Sequence, residues 1–116
     1  GGLAERVAAA EEGGTVVLGK GIYDLGSETL VLDKDVSIVA EDGVPREDIV
    51  IRCLAPFDEQ HTLASVTAAV SIKGVSFDYP GGNPDVGLAR GREAVCLRVT
   101  EQGTLRLTDC VVVTGA

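Results

Sequence analysis

Five acids stand where a carboxylate could do chemistry: Asp33, Asp35, Asp78, Glu101 and Asp109. Carboxylates gathered on one outer face shift one another's pKa and can hold Ca²⁺ or read a sugar acid. The spacing does not gather these five. Asp33, Asp35 and Glu101 fall at corners between apolar runs, where short polar residues serve turns. Asp78 and Asp109 are the better pair. An internal repeat nevertheless aligns Asp109 with Gly74 rather than with Asp78, so the two do not share a column. No arginine or lysine stands beside either in the sequence as a partner for a sugar acid. No catalytic residue is assigned on this basis.

The other reactive side chains are scattered. His61 is the lone histidine and has no second His or Cys nearby, so it reads as a surface residue rather than a ligand. Cys53, Cys96 and Cys110 are odd in number and form no CxxC pair, which argues against a zinc site or a redox motif. They read as small apolar core residues and favour a reduced, intracellular chain. Gly19-Lys20-Gly21 lacks the spacing, the Ser/Thr and the following helix of a phosphate loop. No metal, cofactor or Ca²⁺ requirement is expected.

The run Asp78-Tyr79-Pro80-Gly81-Gly82-Asn83-Pro84-Asp85-Val86-Gly87 is the strongest loop signal in the chain. Pro84 follows Asn83, so Asn83 is no glycosylation acceptor. Residues Asp78 to Arg92 read as an excursion from the regular structure. Insertions of this kind commonly carry the variable, partner-binding face of a repeat protein. The binding candidates are therefore Asp78, Tyr79, Asn83, Asp85, Arg90 and Arg92.

Ten Lys/Arg against eighteen Asp/Glu give a net charge of −8, with no basic cluster beyond Arg90 and Arg92. A nucleic-acid backbone would be repelled. No stretch approaches eighteen consecutive apolar residues, and no signal peptide is visible. The 116 residues suit one domain. Trp and Met are absent, so the core must come from Val, Leu, Ile and Ala.

These residues need elements to position them. Leu3, Val7 and Ala10 lie at i, i+4 and i+7, which predicts a helix over 3–12 with one apolar stripe, stopped by Gly13-Gly14. Strands are expected at Thr15–Leu18, Ile22–Leu25, Leu30–Leu32, Val36–Ala40, Ile49–Cys53, Thr62–Val66, Ala94–Val99 and Leu105–Val113, each bounded by Gly, Asp, Pro or Ser. The central unit is Val70-Ser71-Ile72-Lys73-Gly74-Val75-Ser76-Phe77. It returns 35 positions later from Leu105 and appears 34 positions earlier, in part, from Val36. Val16 is the expected equivalent of Val36 at the start of the series.

A unit recurring at that period, in a chain of short strands without intervening helices, predicts an all-β solenoid of stacked rungs with a short helical N-terminal cap. The cap would be 3–12 and the rungs 15–113. Val36, Val70 and Leu105 would stack inward, as would Ile38, Ile72 and Leu107. Ser37, Ser71 and Arg106 would face out, with rungs about 4.8 Å apart.

The opening of the chain resembles right-handed parallel β-helix proteins, the superfamily that includes pectin lyase-like, pectin esterase-like and periplasmic copper-accessory members. The resemblance lies in Ala8-Ala9-Ala10, Gly14-Thr15-Val16-Val17-Leu18, Gly21-Ile22-Tyr23 and Leu30 to Ala40, and Ile72-Lys73-Gly74-Val75-Ser76-Phe77 is similar to the next recurring element. It implies the fold and says little of activity, because these motifs are the rung itself. Ala40 stands where the superfamily usually has glycine. No catalytic signature of the lyases or esterases is present.

The function expected is a non-catalytic scaffold or binding module for a protein or glycan, within a larger protein or assembly. The alternative is the N-terminal piece of a polysaccharide-active, lyase- or esterase-like enzyme. Leu105 to Val113 is apolar and β-branched, with Arg106 and Asp109 its only charges. As a last rung it would leave an open edge, which templates pairing unless covered. Further rungs of a longer chain, or a protein partner, are expected to cover it.

Overall fold

The structure of the chain is a computed structural model; it describes residues 2–26, 28–54, 61–79, 94–100 and 102–114. The chain is mostly β. One helix, α1 (Leu3–Ala9), precedes β1 (Gly14–Leu18), β2 (Gly21–Asp24), β3 (Leu30–Leu32), β4 (Val36–Ala40), β5 (Ile49–Arg52), β6 (His61–Val66), β7 (Ala69–Lys73), β8 (Ser76–Tyr79), β9 (Ala94–Val99), β10 (Thr104–Thr108) and β11 (Val111–Thr114). A 3-10 turn, Arg46–Asp48, precedes β5.

Each strand pairs, in parallel, with the strand three along the chain. The sheets run β1-β4-β7-β10, β2-β5-β8-β11 and β3-β6-β9. Parallel partners cannot be joined by a hairpin and need a crossover. Here the two intervening strands make that crossover, one in each of the other two sheets.

Side chains alternate across these strands as a period of two requires. In β4 Val36 and Ile38 are buried, in β7 Val70 and Ile72, in β5 Ile49 and Ile51, and in β3 Leu30 and Leu32. The inward residues of all three sheets form one cluster, to which Phe77 and Tyr79 of β8 add the largest side chains, with Val75 just before them. The stacking expected from the repeat holds residue for residue. Val36 pairs with Val70 and Val70 with Leu105; Ile38 pairs with Ile72 and Ile72 with Leu107. Ser37 and Ser71 lie on the opposite face, and Arg106 is exposed there.

Four expectations need correction. The helix stops at Ala9 rather than residue 12. Lys34 Nζ donates to the carbonyls of Ala8 and Ala10, both at 2.8 Å, and so takes an acceptor that a longer helix would use. Ala10 is already extended, and the reversal comes at Gly13, with φ +80°. Second, Leu105–Val113 is not one strand. It breaks at Asp109, whose φ of +51° makes a corner between β10 and β11. The central unit breaks in the same way at Gly74, φ +78°. Third, Val36 pairs with Gly14, and Val16 with Ile38. A slip of two residues keeps every side chain on its own face, so alternation alone could not fix that register. Fourth, the strand after the central glycine runs on through Asp78 to Tyr79, so the excursion cannot begin at Asp78.

Helix α1 lies against the core through Leu3 and Val7, both buried, with Ala10 partly buried beside them. It packs against β3. Among the described residues no helix is long and apolar enough to cross a membrane.

Candidate functional site

The strongest concentration of charge in register lies on the outer face of the β2-β5-β8-β11 sheet. Alternation turns Asp24, Arg52, Asp78 and Val113 outward, and the register stacks them in one column: Asp24 beside Arg52, Arg52 beside Asp78, Asp78 beside Val113. Arg52 Nε donates to Asp78 Oδ2 at 3.0 Å, with both side chains about one-third exposed (34% and 28%). Asp24 turns its carboxylate to the corner that follows it, where Oδ1 accepts the Gly26 N–H at 2.8 Å.

A second arginine reaches the other acid singled out in the sequence. The 3-10 turn at Arg46–Asp48 lies against β5 and β8. There Ser76 Oγ donates to the Arg46 carbonyl at 2.8 Å. From that position Arg46 Nη1 donates to Asp109 Oδ1 at 2.5 Å. Asp78 and Asp109 thus each meet an arginine that does not stand beside them in the sequence. Arg52 is 26 residues from Asp78, and Arg46 is 63 from Asp109. Only the stacking brings them together, so inspection of sequence neighbours missed both arginines. Repeat alignment held the one available signal, since Arg52 closes an apolar run as Asp78 does in the next.

The remaining candidates separate clearly. Tyr79 is fully buried in β8, with Phe77 two residues earlier on the same face, so it packs the core. Asn83, Asp85, Arg90 and Arg92 lie outside the described residues, as does Glu101. Asp35 serves its corner, where Oδ1 accepts the Ala69 N–H at 2.9 Å. Cys53 is buried and Cys110 half-buried. Cys110 Sγ lies 3.3 Å from the Thr108 carbonyl. Among the described residues no group of three or more His, Cys, Asp or Glu is arranged to hold a metal ion.

The arrangement as found is one of engaged charges. A carboxylate that accepts a hydrogen bond from a guanidinium on a neighbouring element helps to hold the two together. A partly exposed pair of this kind contributes roughly 0.5–1 kcal/mol. Arg52→Gln is therefore expected to lower stability to urea by about that amount while the fold persists. A loss of several kcal/mol in the denaturation curve would show that Arg52 also carries packing not attributed to it.

A different surface is shaped to receive something. An open groove of about 410 Å³ crosses the outer face of the β1-β4-β7-β10 sheet at the start of its strands. It presents Asp35, Ser37, Ser71, Thr104 and Arg106. Ser37, Ser71 and Arg106 form one outward column there. Past the groove the sheet ends at β10, and its neighbour ends at β11. Leu107, Val112 and Val113 along these last strands are 39%, 46% and 50% exposed.

No family model and no curated protein sequence matches the chain.

Proposed function

We propose that the chain is a segment of a right-handed parallel β-helix that works as a non-catalytic scaffold or binding module, mediating protein or glycan interaction within a larger protein or assembly. The pairing of every strand with the third one along supports the β-helix. The observation that carries the binding role is the edge made by β10 and β11. Among the described residues no strand pairs with their far side, where half-exposed Leu107, Val112 and Val113 are left for a protein partner or further rungs to cover. An extended segment adding to that edge gains main-chain hydrogen bonds and covers apolar side chains together. The hydroxyl-lined groove beside it offers donors and acceptors at the strand spacing, which suits a glycan or a polar peptide.

Matching Asp78 and Asp109 with arginines favours this reading over a lyase or esterase, because the best-placed acids are spent on holding strands. Light scattering tests the edge. The 116-residue chain is expected to associate at high concentration, and Leu107→Lys, which sets a charge on the edge, is expected to hold it as a monomer. A native chain that stays monomeric at high concentration, with Leu107→Lys changing nothing, would remove the edge as a binding surface.

A further inference from the structure

The outer face of the β1-β4-β7-β10 sheet differs in charge from the chain as a whole. Acids outnumber bases by eighteen to ten overall. These four strands nevertheless hold Lys73 and Arg106 and no Asp or Glu. Both cations are exposed, and alternation puts them on the outward face with Ser71 and Thr108. The register sets Arg106 beside Ser71 and Thr108 beside Lys73, so the four residues mark the corners of one patch. A strand spacing of about 4.8 Å and a rise of about 3.3 Å per residue put the two cations on a diagonal of about 8 Å. Two long side chains can close that distance. Arg52, the outward arginine of the neighbouring sheet, stands between Asp24 and Asp78 in register and pairs with Asp78. Arg106 has Ser71 beside it in place of an acid. Among the described residues the ion pairs are Arg46–Asp109 and Arg52–Asp78, and neither includes Lys73 or Arg106. Asp35, before β4, accepts the Ala69 N–H, and Asp109, after β10, is held by Arg46.

We propose that Ser71, Lys73, Arg106 and Thr108 form a binding site for a phosphate monoester carried by a partner protein. The proposal rests on the reading of the chain as a binding module and names what one face of it binds. Two neighbouring cations without a counter-charge repel each other, and an anion seated between them relieves both. A phosphate monoester carries a charge of about −1.5 to −2 at pH 7 and three acceptor oxygens. The Arg106 fork takes two of those oxygens, and Lys73 meets the third as a point charge. The hydroxyls of Ser71 and Thr108 are further donors. A carboxylate has one charge and two oxygens, and leaves one of the cations unmatched. The groove of about 410 Å³ adjoins the patch through Ser71 and Arg106 and continues to Thr104 and Asp35. It receives the residues flanking the phosphate, with hydroxyls for their amides. No aromatic ring lines it for a sugar to stack on, which favours a peptide over a glycan. Asp35 in the groove repels a second acidic group and favours a basic residue beside the phosphorylated one. The net charge of −8 opposes an anionic partner at long range. Salt of 0.15 M shortens the reach of that repulsion to about 8 Å.

The test is an amide NMR titration of the 116-residue chain in physiological salt. The probes are a short peptide with phosphoserine next to lysine, the same peptide unphosphorylated, inorganic phosphate and glucose 6-sulfate. The phosphopeptide is expected to shift the signals of Ser71, Lys73, Arg106 and Thr108. It should bind at least about tenfold more tightly than its unphosphorylated form, the worth of one charge-assisted hydrogen bond. Arg106→Gln and Lys73→Gln, both at exposed positions, are each expected to lower that affinity about tenfold in a chain that stays folded. Ser37→Ala, in the groove but outside the patch, is expected to keep the preference for the phosphorylated peptide. Equal binding of the two peptides would overturn the site, as would an affinity unchanged in both glutamine variants. Inorganic phosphate binding as tightly as the phosphopeptide, or glucose 6-sulfate binding more tightly, would overturn the assignment to a protein partner. Leu107→Lys reports on the β10 edge alone. If it alters native association while no phosphate probe moves the patch, this site fails and the binding edge stands.

Discussion

Ile72→Asp is expected to unfold the chain at neutral pH. Ile72 is fully buried, between Ile38 and Leu107 in its column. Removing the aliphatic side chain from such a site costs about 2–5 kcal/mol. The carboxyl that replaces it meets only apolar neighbours, so burial drives its pKa up, by as much as about 3–5 units in a fully buried site. Together these approach the whole stability of a domain, about 5–15 kcal/mol. Ser71→Asp, one residue away and facing outward, is expected to change stability by no more than about 0.5 kcal/mol. The linkage has a definite sign. A raised carboxyl pKa in the folded state destabilises above that pKa, and the penalty shrinks as pH falls toward the unfolded value near about 3.9. Ile72→Asp should therefore recover part of its circular dichroism signal between pH 7 and pH 4, whereas Ile72→Ala should show no such recovery. A folded Ile72→Asp beside an unfolded Ser71→Asp would place the two faces of β7 the wrong way round.

Ile72 also shows what the sequence made legible. Its inward face, its stacking on Ile38 and its successor Leu107 all follow from alternation and a repeat near 35 residues. Where both signals act together, as in β4 and β7, face and partner came out correctly; in β10 the partners did, but Leu107, expected inward, is 39% exposed. Where one was missing, the reading slipped. The first spacing is shorter, and alternation cannot tell a register from one shifted by two, so Val16 was matched to Val36 instead of Ile38. The corner at Asp109 was present in the alignment with Gly74. It was hidden because aspartate does not announce a left-handed backbone as glycine does, although its short side chain tolerates one.

The arginine partners were illegible for another reason. A contact between Arg46 and Asp109 depends on where the loop after β4 lies in space, and no periodicity encodes a loop's path. Tyr79 failed in the opposite sense. It sits between an acid and a proline, in loop-like company, but the alternation that buries Phe77 continues for two more residues. Local composition suggested a surface position, and the strand period prevailed. The general lesson is that inward columns are written in the sequence, whereas outward charges acquire their partners only after the strands have stacked. The contact of Arg6 with the Val17 carbonyl likewise shows in the hydrogen bonds and not in the pattern.

Gly103→Ala is expected to be the most damaging of the glycine substitutions. The reason is the identity of what the new methyl would meet. A Cβ on Gly103 would lie 2.5 Å from the Val66 carbonyl oxygen, 3.0 Å from its carbon and 3.2 Å from the Thr67 Cα. All three are backbone atoms, and the backbone there is already committed. The Val66 carbonyl accepts the Thr100 N–H at 3.1 Å, the Thr67 N–H donates to Leu32, and the Thr104 N–H donates to Ala68. Relief requires moving the corner before β10 away from the end of β6, which breaks the bonds that start β10 and finish β9. Overpacking of this kind costs about 1–3 kcal/mol, and the lost hydrogen bonds add about 1 kcal/mol each. Gly74→Ala makes the informative comparison. Its φ of +78° imposes about 1 kcal/mol of backbone strain, and its Cβ would meet the Ala40 Cβ at 2.9 Å. That contact is with a side chain, so Ala40→Gly should relieve it and leave only the strain. No side-chain change relieves Gly103→Ala. In urea denaturation, Gly103→Ala is expected to lose about 3 kcal/mol or more. Gly74→Ala should lose less, and should recover in part when combined with Ala40→Gly. A Gly103→Ala chain within about 0.5 kcal/mol of native would mean that the corner and the end of β6 do not meet as closely as the backbone places them.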